Sequence, residues 1–312
     1  MYKELKNWGI LLLLGVIWGS SFFLIKRGLY HPSTGETIFT SNQVGTLRIL
    51  IASSVLLPIG LRFLFKKRKA SIWGAILIVG FLGNFIPALL FSYAETGISS
   101  GFAGMLNSGT PIFTIFIGTL LFRQKLIGTQ VIGVSLGTLG MIWLINSASL
   151  VDTSGSLWHV LAVIIATICY ALSVNTIRYQ LEGIHPVEVT SVAFSLTFLP
   201  ALLLFFWTNV PTTFSENPHA FTGLGYIAIL AILGTAISVI IFNVLINNSS
   251  ALFASTVTYI IPIVAFVIGL WDGEELYIQQ LLAVLLILSG IYIANVLARK
   301  KTKREEKTAK EY

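Results

Sequence analysis

The sequence predicts an all-α integral membrane protein whose ten transmembrane helices form two inverted five-helix repeats. Three observations carry that prediction. Hydrophobic residues make up 55% of the 312-residue chain and charged residues only 11%, with a mean hydropathy of +0.85, a balance outside the range of ordinary soluble domains. Apolar runs of about 20 residues recur, the length a helix needs to cross roughly 30 Å of hydrocarbon. Finally, the chain matches itself. Trp18–Lys26 aligns with Tyr170–Arg178 at an offset of 152, and Pro111–Gly118 aligns with Pro262–Gly269 at an offset of 151.

Lipid leaves two spanning structures, the helix and the closed barrel, because every backbone N–H and C=O must be satisfied within the protein. The apolar runs lack the alternation of barrel strands, so they read as helices. The spans fall at about 8–29, 43–65, 71–93, 98–122, 127–146, 157–180, 187–208, 221–246, 251–271 and 278–298. Lys3 and Lys6 precede the first, as in a signal peptide, but the apolar run is too long and no small-residue cleavage pattern precedes Lys26 and Arg27, so it reads as a retained span. Glu95-Thr-Gly97 breaks the third from the fourth. The expected layout is a first repeat over 1–146, a linker over 147–156, a second repeat over 157–298 and a basic tail over 299–312. An odd number of crossings per repeat forces the halves into opposite orientations, an arrangement found in secondary transporters.

The loops carry charge accordingly. Arg62, Lys66, Lys67, Arg68 and Lys69, then Arg123 and Lys125, then Arg178, and finally the tail fall on one face, while Glu36, Glu95, Asp152, Glu216, Asp272, Glu274 and Glu275 fall on the other. The positive-inside rule then puts both termini in the cytoplasm. Lys26 and Arg27 break the pattern. The turn after the Pro111 helix reads Arg123-Gln-Lys125, and its repeat counterpart reads Asp272-Gly-Glu-Glu275; opposite charge at equivalent turns fits antiparallel halves.

Candidate cavity residues are the polar, aromatic and helix-distorting ones within the spans: Trp18, Ser21, Asn84, Tyr93, Asn107, Thr110, Pro111, Tyr170, Asn243, Tyr259 and Pro262. Each hydroxyl or amide could equally join neighbouring helices. Pro111 and Pro262 each free a carbonyl a turn earlier, so their kinks should face protein or a water-filled space. Three charged residues join the set. Arg48 is a structural anchor that snorkels, or it attracts an anionic solute group or pairs with Glu95. Lys26 could steer a carboxylate-bearing solute at one mouth or be a helix-end cation, and because it breaks the loop-charge pattern a compensating role is favoured; Glu95 is the first residue to test for proton coupling. Histidines 31, 159, 185 and 219 lie at helix ends or in loops without a metal-ligand spacing, and no nucleotide-binding motif or nucleophile–base pair is visible. No cofactor, metal or enzymatic activity is expected. Cys169 is the single cysteine, and the net charge of +7 sits in membrane-flanking segments, with no nucleic-acid pattern.

Trp18-Gly-Ser-Ser21, Leu47-Arg48, the paired prolines and Asp272-Gly-Glu-Glu275 resemble the EamA family of the drug/metabolite transporter superfamily over about residues 8–298. Arg123-Gln-Lys125 departs from the acidic turn common there. The resemblance implies a multi-pass carrier of the bacterial inner membrane that exports small organic solutes such as amino acids or amphipathic compounds. A flippase for a lipid-linked substrate and a non-transporting accessory subunit are the alternatives. Expected partners are a small-molecule solute and the lipid bilayer; oligomeric state is not legible in the sequence.

Overall fold

The computed structural model describes residues 2–124, 128–147, 157–248, 257–275 and 277–294. Among these, every regular element is helical, and the one strand-like feature is an isolated bridge between Tyr30 and Thr37. The helices are α1 Tyr2–Leu29, α2 Ser41–Leu64, α3 Ala70–Gly80, α4 Ile86–Ala94, α5 Ser100–Asn107, α6 Thr110–Phe122, α7 Gly128–Ser147, α8 Leu157–Gln180, α9 Pro186–Trp207, α10 Val210–Glu216, α11 Ala220–Ala231, α12 Ser238–Asn248, α13 Val257–Trp271 and α14 Ile278–Tyr292. Eight stretches, some joining two helices, are long and apolar enough to cross a membrane. The expected ninth and tenth spans are represented by α13 and α14, each 15 residues long among the described residues. Most of the linker and all of the basic tail lie outside the described residues.

Three of the expected spans are not continuous α-helices. A π-helical turn, Phe81–Phe85, separates α3 from α4, and a second, Ile232–Ile237, separates α11 from α12. They begin 151 positions apart (81 and 232). A π turn inserts one extra residue and displaces the i→i−4 ladder. At both places a side chain answers the carbonyl five residues back: Asn84 Nδ2 donates to Val79 O at 3.2 Å, and Thr235 Oγ1 donates to Leu230 O at 3.2 Å.

The fourth span is two helices. The chain turns through Ser108-Gly109, and Pro111 stands in the first turn of α6 rather than kinking a continuous helix. There its missing N–H costs nothing, because the first turn has no intrahelical acceptor to offer. Ser108 Oγ, donating to Met105 O at 2.6 Å, helps to satisfy the carbonyls at the end of α5. Pro262, by contrast, is inside α13 and buried.

The helices pack across the two halves of the chain. Neighbouring pairs are α2 with α9, α7 with α14, α13 with α1 and α5, α8 with α4 and α6, and α11 with α1. Bulky apolar side chains such as Leu13, Phe116, Leu120, Leu203 and Val267 remain exposed on the outside, as a lipid-facing surface requires. The α7–α14 seam is built on glycine: a Cβ on Gly290 would lie 2.5 Å from both Gly133 O and Gly137 N. Small residues let membrane helices approach backbone to backbone, which is where their packing energy comes from. Gly290→Ala should therefore destabilise the protein by about 1–3 kcal/mol, the usual cost of overpacking. Gly74→Ala, in α3 with nothing within 4 Å of the new methyl, should be neutral or stabilising by up to about 1 kcal/mol. Thermal unfolding in detergent compares the two.

Candidate functional site

Two side chains from the first half grip the π turn of the second. Trp18 Nε1 donates to Gly234 O at 3.1 Å and to Ser238 Oγ at 2.9 Å, and its ring packs on Phe242 at 5.1 Å. Arg48, half-buried in α2, donates from Nε to Thr235 Oγ1 at 3.2 Å. No acidic oxygen lies within ion-pair distance of Arg48 among the described residues, so the expected pairing with Glu95 is absent; their charges act on each other at longer range. Ser21 Oγ bonds back to Ile17 O at 2.9 Å and faces Gly234, where a Cβ would sit 3.1 Å from it. In the other half Ser173 Oγ faces Gly83 in the same way. A side chain at Gly83 would displace the Ser173 hydroxyl, and one at Gly234 would crowd that of Ser21.

The remaining candidates divide by position. Tyr170 is half-buried and stacks on Phe91 at 5.9 Å, while Thr110 Oγ1 donates to Asn107 O at 2.8 Å across the α5–α6 break. Asn84, Asn107, Thr110, Pro111 and Tyr259 are all partly exposed within the bundle. Tyr93 stands apart. It is 39% exposed and stacks on His159 at 4.7 Å, a surface contact between α4 and the start of α8. The side chain of Asn243 lies outside the described residues. Two residues outside the candidate set serve as clamps: Asn175 Nδ2 donates to Thr114 O and Ala171 O, both at 2.9 Å, and Gln43 Nε2 donates to Thr208 O and Thr213 Oγ1, both at 2.8 Å. Their signal was weak, since neither has a repeat counterpart of the same type.

The two ends of the bundle differ in charge chemistry. At one end, Lys26 Nζ lies 2.9 Å from Asp272 Oδ2 and 2.9 Å from Glu274 Oε1, and Arg27 pairs with Asp272. Glu274 also accepts from Ser100 N at 2.9 Å, Ser100 Oγ at 2.7 Å and Gly101 N at 2.8 Å, so it caps α5 while binding α1. Burial alone would raise the Glu274 pKa; the Lys26 ammonium and these donors outweigh it and hold the carboxyl below its ordinary range. The two cations that break the loop-charge pattern are thus the ones that neutralise this acidic turn. Glu95 is buried beside the cluster, 5% exposed, and neither carboxyl oxygen has a hydrogen-bond partner.

At the opposite end, Lys66 Nζ and Arg68 Nη2 bind Glu188 at 2.7 and 2.6 Å, joining the α2–α3 loop to the start of α9. The sequence counterpart of Lys26 there is Arg178, which lies over the Tyr179 ring, 5.2 Å from its centroid, with no acid paired to it among the described residues. Tyr179 in turn stacks on Phe122 at 5.3 Å and its hydroxyl bonds Gln124 Oε1 at 3.2 Å.

The pattern of the EamA-like transporter family matches residues 7–146 and 157–296. The chain belongs to that family. Among curated relatives, an uncharacterised transporter of Archaeoglobus fulgidus is 24% identical, the match covering 93% of this chain and 98% of that one. The uncharacterised inner membrane transporter YedA of Escherichia coli K12 is 26% identical over 87% of this chain and 84% of its own. A probable amino-acid metabolite efflux pump of Salmonella typhimurium is 25% identical over 92% and 94%. A solved crystal structure shares the fold at a TM-score of 0.58 and 15% identity, covering 95% of this chain and 98% of that one. This EamA-like chain is accordingly a multi-pass membrane transporter.

Removing the Lys26 ammonium leaves Asp272 paired with Arg27 and takes from Glu274 its paired cation. Lys26→Met should cost about 3 kcal/mol, the scale of breaking a buried pair. Lys26→Met with Glu274→Gln should cost less than the two single changes added together. A double-mutant cycle by thermal unfolding in detergent measures the difference.

Proposed function

We propose that this EamA-like chain is a secondary transporter that exports small organic metabolites, amino acids or amphipathic compounds, across the inner membrane by alternating access between two inverted five-helix repeats. The observation that carries the reading is the pair of π turns. They begin at positions 81 and 232, each backed by a glycine against a serine of the other half's neighbouring helix, and each has its displaced carbonyl answered by a polar side chain. π turns recur at functional positions in membrane and soluble helices, and interrupted helices at a repeat interface are where secondary carriers bind solute. The repeats would be 1–146 and 157–298, with both termini on the cytoplasmic side.

Trp18, Arg48, Asn107, Thr110 and Tyr170 offer a solute one cation, an amide, a hydroxyl and two aromatic faces. A zwitterionic or carboxylate-bearing solute fits that set, because the Arg48 guanidinium keeps donors beyond the one given to Thr235. The name of the Salmonella typhimurium relative points the same way. Carrier chemistry rather than catalysis accounts for these groups, since they need only bind and release.

A flippase for a lipid-linked substrate is favoured by one further feature. An open groove of about 500 Å³ is lined chiefly by Leu47, Leu50, Val55, Phe205, Phe214 and Leu224. An acyl chain would fill it.

Efflux from cells loaded with labelled amino acids and amphipathic drugs tests the proposal. The wild type should release at least one solute, and Trp18→Ala or Asn107→Ala should slow that release about tenfold, equivalent to some 1.4 kcal/mol. No flux with any member of the panel, together with flipping of a labelled lipid in vesicles, would replace the solute-export reading with the flippase.

A further inference from the structure

Glu95 is a carboxyl group that the rest of the structure does not use. It follows the last residue of α4, is 5% exposed, and has both oxygens buried without a hydrogen-bond partner. Structural carboxylates in this protein look different: Glu274 has Lys26, Ser100 and Gly101, and Glu188 has Lys66 and Arg68. An ionised carboxylate left without a donor in a dry site is costly, whereas the neutral acid loses far less.

The charged neighbours of Glu95 come from three elements. From α1 comes Lys26, already shared between Asp272 and Glu274; from the turn after α13 comes Glu274 itself; and from α2 comes Arg48, which donates to Thr235. Tyr170, on α8, stacks on Phe91 and lies within range of the Arg48 charge. His159, also on α8, stacks on Tyr93 and meets Thr96 at the surface. Within the ion-pair cluster, two cations (Lys26, Arg27) already face two anions (Asp272, Glu274). An ionised Glu95 would be a third anion beside that balanced set.

We infer that Glu95 is the proton-binding group of this transporter, taking a proton from water when the Lys26 end closes and returning it to water when that end opens. The inference rests on the alternating-access reading and names its coupling ion. The exchange balances as carboxylate plus hydronium giving carboxylic acid plus water, with no other reactant. Burial first, and Glu274 second, hold this carboxyl well above its ordinary range, while Lys26 and Arg48 pull it down by less. The sign follows: with a higher pKa in the closed state than in the open one, closure is favoured below the open-state pKa and lost as the pH rises through the closed-state value.

The test needs no solute. Purified full-length protein in lipid nanodiscs, with Cys169→Ser, carries spin labels at Thr96→Cys and Ile278→Cys, two exposed positions flanking the cluster. Electron–electron distances and carboxyl infrared bands are recorded from mildly acidic to mildly alkaline pH. The wild type should shift from a short to a longer distance as the pH rises, with loss of a protonated-carboxyl band over the same range. Glu95→Gln should lose both the band and the pH response and stay short throughout; Glu95→Asp should keep both with a moved midpoint. A pH response unchanged in Glu95→Gln, or an Asp variant that behaves as the Gln variant does, overturns the inference. The stacked His31–His219 pair at the same end, with ring centroids 3.9 Å apart, supplies the control: if His219→Asn abolishes the response and Glu95→Gln does not, the histidines and not Glu95 bind the proton. Because the readout is independent of flux, its failure would leave solute transport standing, and absent flux would leave the proton site standing.

Discussion

A chain immersed in hydrocarbon must satisfy its own polar groups, and most of what is distinctive in this fold follows from that constraint. The π turns free carbonyls that water would answer in a soluble protein; here Asn84 and Thr235 answer them from one residue beyond the usual helical reach. Trp18 and Arg48 then donate to the second turn, so a local backbone defect in one half becomes an attachment point for the other. The α5–α6 break is handled similarly, with Ser108 and Thr110 bonding carbonyls on the preceding turn.

The same constraint separates the two ends. Lys26 and Arg27 would be a liability at the face that loop charge marks as acidic, but against Asp272 and Glu274 they complete a compact set of ion pairs. Their counterpart Arg178 meets rings and an amide instead. On the proposed alternating-access reading, the unlike chemistry at the two ends would hold the carrier shut differently on each side. Strong, charged closure at one end and weaker aromatic closure at the other would make the two openings unequal in cost. That inequality is compatible with directional export only if an external ion or solute gradient supplies the work.

Much of this was legible in the sequence because hydrocarbon imposes coarse, length-based rules. The apolar spans, the misfit of Lys26 and Arg27 with the loop-charge pattern, and the repeat offsets need no tertiary information. The π turns escaped because an extra residue within an apolar run leaves hydropathy unchanged; the recurring Gly83-Asn84 and Gly234-Thr235, one small residue and one short polar residue at equivalent places, were the available signal. Pro111 read as a kink because a proline alone does not reveal whether the helix before it ends. Tyr93 read as a cavity residue because polarity within a span marks an interior face only when the rotation of the helix is known. The isolation of Glu95 could not be read at all: the sequence shows a carboxyl group near a span end, and only packing shows that its neighbours are already engaged.

The proposed function rests on opposite orientation of the two halves. Side-specific labelling tests it most directly, using single cysteines at Arg123 and Glu275 in a Cys169→Ser background and a membrane-impermeant maleimide. Antiparallel halves predict that Glu275→Cys reacts in intact cells and Arg123→Cys reacts only after the membrane is opened. Reaction of both positions from the same side would contradict the arrangement.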